Sequence, residues 1–288
     1  AQDSRSWRRY NPAAVAATRP TFQLQNGAVK VLSNSDAIPR PERLATPVLS
    51  RGVRSAAASI DATRFAVVRD DPGGGQRLWS ADASGTMQPT LRAPQIGRPS
   101  WGGHRSTVVV PIGGSVYEVG VGNAGAPAEI QVRGPGGRPL RDVTSIRLSL
   151  DGVRALLVAG TGSAARVYVG TLSGSTGGDL VLSARPLAVT GTPADVSWWG
   201  PVTAVVAVSV QEQGPRVALV FAPVDGSLTQ QQRAVPDPGG AVRVSGDPAE
   251  NPEPVVLLEV GGKRHLVRED GESSGVPVAV TTQPFYPG

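Results

Sequence analysis

The sequence of 288 residues predicts an all-β protein, a β-propeller built from four-stranded blades, on three observations. A serine followed by a tight turn recurs at nearly constant spacing, a short apolar run follows each turn, and 36 Gly with 26 Pro leave little room for helix interiors. Glycine loses the most backbone freedom on entering a helix, and proline lacks the N–H that a helix needs. Hydrophobic residues still make up 40% of the chain and cluster as short Val, Leu and Ala runs, enough to bury a core.

The repeat is read from Ser59, Ser100, Ser149, Ser197 and Ser245, which lie 41, 49, 48 and 48 residues apart. A period of this length, with several strands per unit, marks sheets repeated around an axis. A β-sandwich would supply strands without a recurring turn. In each unit a Gly-, Asp- or Pro-rich turn leads to a second strand, at 65–68, 107–110, 155–158, 204–208 and 255–260. A third strand follows at 76–81, 115–119, 166–171, 216–222 and 264–267, and a weaker fourth closes the unit, as at 130–133 or 278–281. The five units run from 52 to 282. Ahead of them, strands at 21–24 and 28–32 flank Asn26-Gly27, the strongest two-residue hairpin signal in the chain.

That hairpin, with a further strand near 44–49, makes a sixth blade if the C-terminal segment supplies the missing inner strand. Closure is expected, because an open ring leaves strand edges unpaired. Six blades are therefore favoured; five, with the hairpin packed outside, is the alternative. Residues 21–288 are assigned to the propeller. Residues 1–20 read as a linker remnant from an upstream module, with a short helical turn at 13–18 between Asn11-Pro12 and Arg19-Pro20. Helix is expected largely before Thr21. Pro39-Arg40-Pro41 and Pro236-Asp237-Pro238-Gly239-Gly240 read as loops.

The formal charge is +5, and only Lys30 and Lys263 among the 28 basic residues are lysines. The arginines are scattered, with no basic block interleaved with aromatics, so nucleic acid is not an expected partner. With no cysteine, the chain has no disulfide, thiolate metal site or cysteine nucleophile. No apolar run approaches the roughly 20 residues needed to span a bilayer, and export would require a targeting segment upstream of residue 1.

Catalytic constellations are not legible either. His104 and His265 stand 161 residues apart and are poor material for a metal site. The repeated serines lack a Gly-x-Ser-x-Gly setting and read as structural, with the hydroxyl bonded to turn backbone. Asp70-Asp71, just before Pro72 and a glycine run, reads as a solvated loop tip. No catalytic residue, metal ligand or cofactor is assigned.

Two groups of residues are candidates for binding. Trp101 and Trp198 directly follow repeat serines, and Trp199 extends the second to a pair. They read as filling between blades, with stacking on a ligand as the alternative. Two residues before the serines stand Ala57, Arg98, Arg147, Asp195 and Arg243, while positions one and three before are mostly apolar. Side chains alternate along a strand, so Arg98, Arg147, Asp195 and Arg243 share one face of equivalent inner strands. They would line the central channel and could hold an anion or an acidic partner side chain. The equal alternative is a set of salt bridges between blades, such as Arg147 with Asp195.

Several segments in order resemble the β-propeller of the actinobacterial LpqB lipoprotein family. They are Ser55-Ala-Ala-Ala-Ser59 with Arg64-Phe-Ala-Val-Val68, Arg98-Pro-Ser-Trp101, the stretch 143–154 with Arg166-Val-Tyr-Val-Gly170, Asp195-Val-Ser-Trp198 and Val224-Asp-Gly-Ser227. The resemblance spans most of 52–230; the fifth unit, with Ser245-Gly-Asp-Pro248, matches less well. It implies an extracytoplasmic lipoprotein held at the cell membrane by an upstream lipid anchor, with a GerMN-type domain also upstream. It further implies a non-catalytic scaffold that modulates the extracytoplasmic domain of an MtrB-like sensor histidine kinase and serves cell-envelope homeostasis. A propeller sensing a glycan or small ligand is the alternative, and a hydrolase or lactonase stands third.

Overall fold

The computed structural model describes residues 21–25, 28–33, 40–43, 52–59, 63–82, 86–102, 106–122, 126–173, 178–211, 214–227, 230–231, 235–236, 239–246, 248, 255–261, 263–268 and 282–285. The linker assigned to 1–20, with its helical turn, and the strands expected at 44–49 and 278–281 lie outside these residues. Helix among the described residues is limited to the 3-10 turns Pro135–Gly137 and Gly162–Ala164.

The strands of the described residues fall into six sheets. The first holds β1 (Thr21–Gln25), β2 (Ala28–Ser33) and β3 (Arg40–Arg43). Gln25 pairs with Ala28, the register of a two-residue hairpin across Asn26-Gly27. The second holds β4 (Val53–Ala58), β5 (Arg64–Asp70), β6 (Gln76–Asp82) and β7 (Met87–Ala93), antiparallel in chain order. The third repeats that order with β8 (Ser100–Trp101), β9 (Thr107–Ile112), β10 (Ser115–Gly120) and β11 (Ala128–Ile130).

The fourth sheet departs from the pattern. Its antiparallel strands β13 (Val143–Leu148), β14 (Arg154–Ala159), β15 (Arg166–Leu172) and β16 (Leu180–Leu182) gain an outer strand, β12 (Val132–Arg133), which runs parallel to β16. The fourth strand expected at 130–133 is thus divided at Gln131: its start closes the third sheet and its end latches onto the fourth. The fifth sheet holds β17 (Thr192–Trp199), β18 (Thr203–Gln211) and β19 (Pro215–Pro223), with β20 (Gln230–Gln231) and β21 (Val235–Pro236) both pairing β19. The sixth holds β22 (Val242–Ser245), β23 (Val255–Val260) and β24 (Lys263–Arg268).

The last strand, β25 (Thr282–Phe285), pairs with β1, matching Phe22 with Phe285 and Gln25 with Thr282. Elsewhere the inner strand of a sheet touches the second strand of the sheet before it, as β17 touches β14 and β22 touches β18. β25 touches β23, and β4 touches β1, so β25 occupies the inner position of the first sheet. The chain's two ends are therefore joined within one sheet.

Two stretches read as loops carry strand structure. Pro41 lies in β3 opposite Leu32, and Pro236 lies in β21 opposite Arg216. Both strands are sheet margins, where a missing N–H costs no ladder bond.

The core lies between sheets. Trp101, fully buried, joins Ala57, Ala66, Val68 and Leu78 of the second sheet to Val108, Val110 and Val119 of its own. Trp198 does the same between the fourth and fifth, among Leu156, Val158, Val167, Val206 and Val208. Trp101→Ala is expected to cost about 3 to 5 kcal/mol from lost burial and the cavity left behind. Urea unfolding checks this; a loss below about 1 kcal/mol would show that this gap between sheets collapses freely.

Candidate functional site

The inner strands present an apolar side to their neighbours and a polar side to the axis. Ile146, Leu148, Val196 and Val244 are buried, whereas Arg147, Asp195 and Arg243 alternate with them. The repeat serines stitch the ends of these strands. Ser59 Oγ accepts from Arg64 N at 3.0 Å and Ser149 Oγ accepts from Arg154 N at 2.9 Å, closing the turn of their own sheets. Ser100 and Ser197 reach the following sheet instead, accepting from Leu148 N at 2.8 Å and Gly246 N at 3.1 Å. At Gly246 a Cβ would lie 2.5 Å from Trp198 O, so only glycine permits that close approach.

Asp195 is the hub of the polar face, and it is only 5% exposed. Its Oδ1 accepts from Ser145 Oγ at 2.5 Å and from Arg147 Nη2 at 3.4 Å, and its Oδ2 accepts from Val244 N at 2.9 Å. One carboxylate thus links three consecutive sheets. Arg147 also donates from Nη1 to Ile146 O at 2.6 Å, and Trp198 Nε1 donates to Arg147 O at 3.1 Å. The buried Arg147 Nε has no hydrogen-bond partner among the described residues. Burial lowers the pKa of the Arg147 guanidinium, while Asp195 works to hold its charge.

Arg98 crosses the middle of the ring. It lies two residues before β8 of the third sheet, yet its Nη1 donates to Val244 O at 3.0 Å and its Nη2 to Ser245 Oγ at 2.8 Å, in the sixth. Burial, and then the nearby Arg147 charge, push its pKa down to about 9, so it remains a cation at neutral pH. Arg243 donates to Arg54 O at 3.4 Å. Neither Arg98 nor Arg243 forms an ion pair among the described residues.

Arg98, Arg147, Asp195 and Arg243 all line one cavity of about 430 Å³ at the N-terminal ends of the inner strands. The four side chains border the same cavity, and Arg147 pairs with Asp195 between sheets. Arg98 and Arg147 also border a void of about 40 Å³ toward the other ends of the strands, so they partition the channel.

The sequence reading missed the rim. Arg54 and Asp70 form a 2.5 Å ion pair there, with side chains 61% and 52% exposed. The hydrogen bond between them raises the Arg54 pKa and lowers that of Asp70. Bulges interrupt β4, β13 and β17 between Val53 and Ser55, Val143 and Ser145, and Pro193 and Asp195. The extra residues Arg54, Thr144 and Ala194 all face the cavity, the use to which bulges beside functional sites are often put. The detectable signal was Ser55 and Ser145, four residues before their repeat serines and so on the same face.

Other candidates are corrected by their surroundings. Trp101 and Trp198 cannot be stacking platforms, because they are 0% and 2% exposed between sheets. Arg64 and Arg154 lie 5.7 Å and 5.2 Å over their rings. Trp199 is half-buried and meets Phe221 edge-on at 5.2 Å. Asp71 is not a solvated tip: its side chain is 8% exposed and accepts from Arg77 Nη2 at 2.9 Å, with Arg92 Nε 2.8 Å away. His104 lies outside the described residues, and His265 sits in β24 opposite Leu258. Among the described residues no cluster of three or more His, Cys, Asp or Glu could hold a metal, and no helix is long and apolar enough to cross a membrane.

A family model described as the lipoprotein LpqB β-propeller domain matches residues 40–287. No curated protein matches the chain. Among solved structures, TolB from Acinetobacter baumannii is 17% identical with a TM-score of 0.52, covering 75% of this chain and 50% of its own. The chain thus spans half the length of that protein. A nidogen/laminin complex chain is 8% identical with a TM-score of 0.61, covering 93% of this chain and 94% of its own. A protein from Lactobacillus plantarum is 15% identical with a TM-score of 0.54, covering 89% and 81%. At these identities the likeness is one of fold.

Proposed function

The chain belongs to the LpqB β-propeller family, and from that premise we propose that it is the non-catalytic interaction scaffold of an extracytoplasmic lipoprotein. The six sheets are read as six blades, and the partner is the extracytoplasmic domain of an MtrB-like sensor histidine kinase. Membrane attachment is assigned to an upstream lipid anchor, and a GerMN-type domain upstream is the second neighbour. The role is modulation of the kinase in cell-envelope homeostasis.

The observation that carries this reading is the arginine-lined cavity at one mouth of the ring. Connecting loops and strand ends are where recognition is placed on a rigid scaffold, and arginine is enriched at interface hot spots. Arg98 and Arg243 present charge there without an ion-pair partner among the described residues, whereas Trp101 and Trp198, two of the three tryptophans that would serve a glycan site, are packed in the core. The fold alone hosts many functions, so the assignment rests on this site and on the family.

Calorimetric titration of the kinase's extracytoplasmic domain into the propeller tests it. Wild-type protein is expected to bind, and alanine at Arg98, Arg147 and Arg243 together is expected to weaken binding and flatten its salt dependence. Circular dichroism must first show the triple variant folded. Unchanged affinity and salt slope in that folded variant would place the partner elsewhere.

A further inference from the structure

We propose that the cavity at the N-terminal ends of the inner strands is a carboxylate receptor, taking an acidic side chain of an extended partner segment between the Arg98 and Arg243 guanidiniums. This deepens the docking assignment above and rests on it for the source of the segment.

The charge balance of the wall leads to this ligand. Four arginines face two aspartates, and both aspartates are engaged, Asp70 by Arg54 and Asp195 by Arg147. Arg98 and Arg243 are held only by neutral oxygens. A guanidinium carries five N–H donors, of which Arg98 uses two in these bonds and Arg243 one. The buried Arg147 Nε adds a donor with no partner among the described residues. The wall thus offers donors and positive charge in excess of its own acceptors, in a setting where charge interactions are weakly screened. Burial and the Arg147 and Arg243 charges destabilise Arg98 as a cation, Asp195 and Glu259 offset part of that cost, and an entering negative charge relieves more of it.

Size and sign narrow the ligand further. A cavity of about 430 Å³ falls in the range of roughly 300 to 1,000 Å³ typical of ligand pockets. It accommodates an acidic side chain with flanking backbone, whereas a lone small anion would leave most of it to water. The excess of positive charge on the wall calls for an anion. The planar forks of Arg98 and Arg243 suit bidentate bonding to a carboxylate.

Fluorescence anisotropy with a short labelled peptide carrying a central glutamate tests the proposal. Its glutamine counterpart is run alongside, with acetate and inorganic phosphate as competitors. The glutamate peptide is expected to bind about tenfold or more tightly than the glutamine peptide. Arg243→Gln, at a half-buried side chain with one hydrogen bond, should lose a similar factor, while Arg166→Gln, remote from the cavity, should not. Equal binding of the two peptides, or unchanged binding by Arg243→Gln, overturns the receptor. Phosphate competing at lower concentration than acetate overturns the carboxylate assignment. If the glutamate peptide binds but the kinase domain does not, the receptor stands and the docking partner falls. If the kinase domain binds wild type and Arg243→Gln alike, docking stands and the receptor falls.

Discussion

Asp195→Ala is expected to destabilise the protein by about 3 to 5 kcal/mol, because it strands a buried positive charge. Arg147 is 8% exposed, and its ion pair is with Asp195. The same substitution leaves Val244 N and Ser145 Oγ without the acceptors they use across the fifth sheet's boundaries. Asparagine does not rescue this fully: turning its oxygen to Ser145 and Arg147 sets its amide nitrogen against the Val244 donor. Combining Asp195→Ala with Arg147→Ala should cost less than the sum of the two single changes, since the second removes the charge that the first leaves unpaired. Urea denaturation of the four proteins measures the cycle, and strict additivity would show that the pair contributes no coupling.

Breaking the ring has the second large effect. Deleting Thr21 to Leu32 removes the strand pair that carries β25, and truncation after Thr281 removes β25 itself. The first leaves β25 without its partner strand, the second leaves the inner position of the first sheet empty, and each exposes ladder groups of strands that were paired. Both truncations should lose the single cooperative transition of the parent, with the sheets nearest the break unfolding first. Calorimetric scans combined with hydrogen exchange would detect this, and truncated proteins melting like the parent would show that the β1 and β25 pairing does not hold the fold together.

The repeat was legible because the units share a sequence pattern, a serine, turn-forming residues and a run of small apolar residues, and Ser59, Ser100, Ser149 and Ser197 each accept from a backbone N–H. The Ser149 turn is a clear example, since Ser149 binds Arg154 N and Asp151 accepts from Val153 N. The convergence of Arg147, Asp195 and Arg243 was likewise readable from strand alternation, whereas Arg98 reaches the same cavity from the segment before β8. What escaped depends on contacts distant in sequence. Pro41 and Pro236 read as loop residues because nothing local shows that a strand is marginal and needs no donor there. The division at Gln131 is set by β16, some fifty residues on, and not by the segment's own composition. Bulges shift Arg54 and Thr144 toward the cavity, and a strict period of two places neither on that face. The clamp on Asp71 by Arg77 and Arg92 requires β6 and β7 to pair first.

Hydrogen exchange on the propeller with and without the kinase's extracytoplasmic domain tests most directly the claim that this mouth of the ring is the docking surface. Protection on complex formation is expected in the backbone around Arg54, in the segment from Gln95 to Arg98 and around Arg243, which surround the cavity. It should be absent around Ser197, Ser245 and Gly246 at the opposite ends of the inner strands. Protection confined to those opposite ends, or to the outer strands β7 and β11, would contradict the assignment.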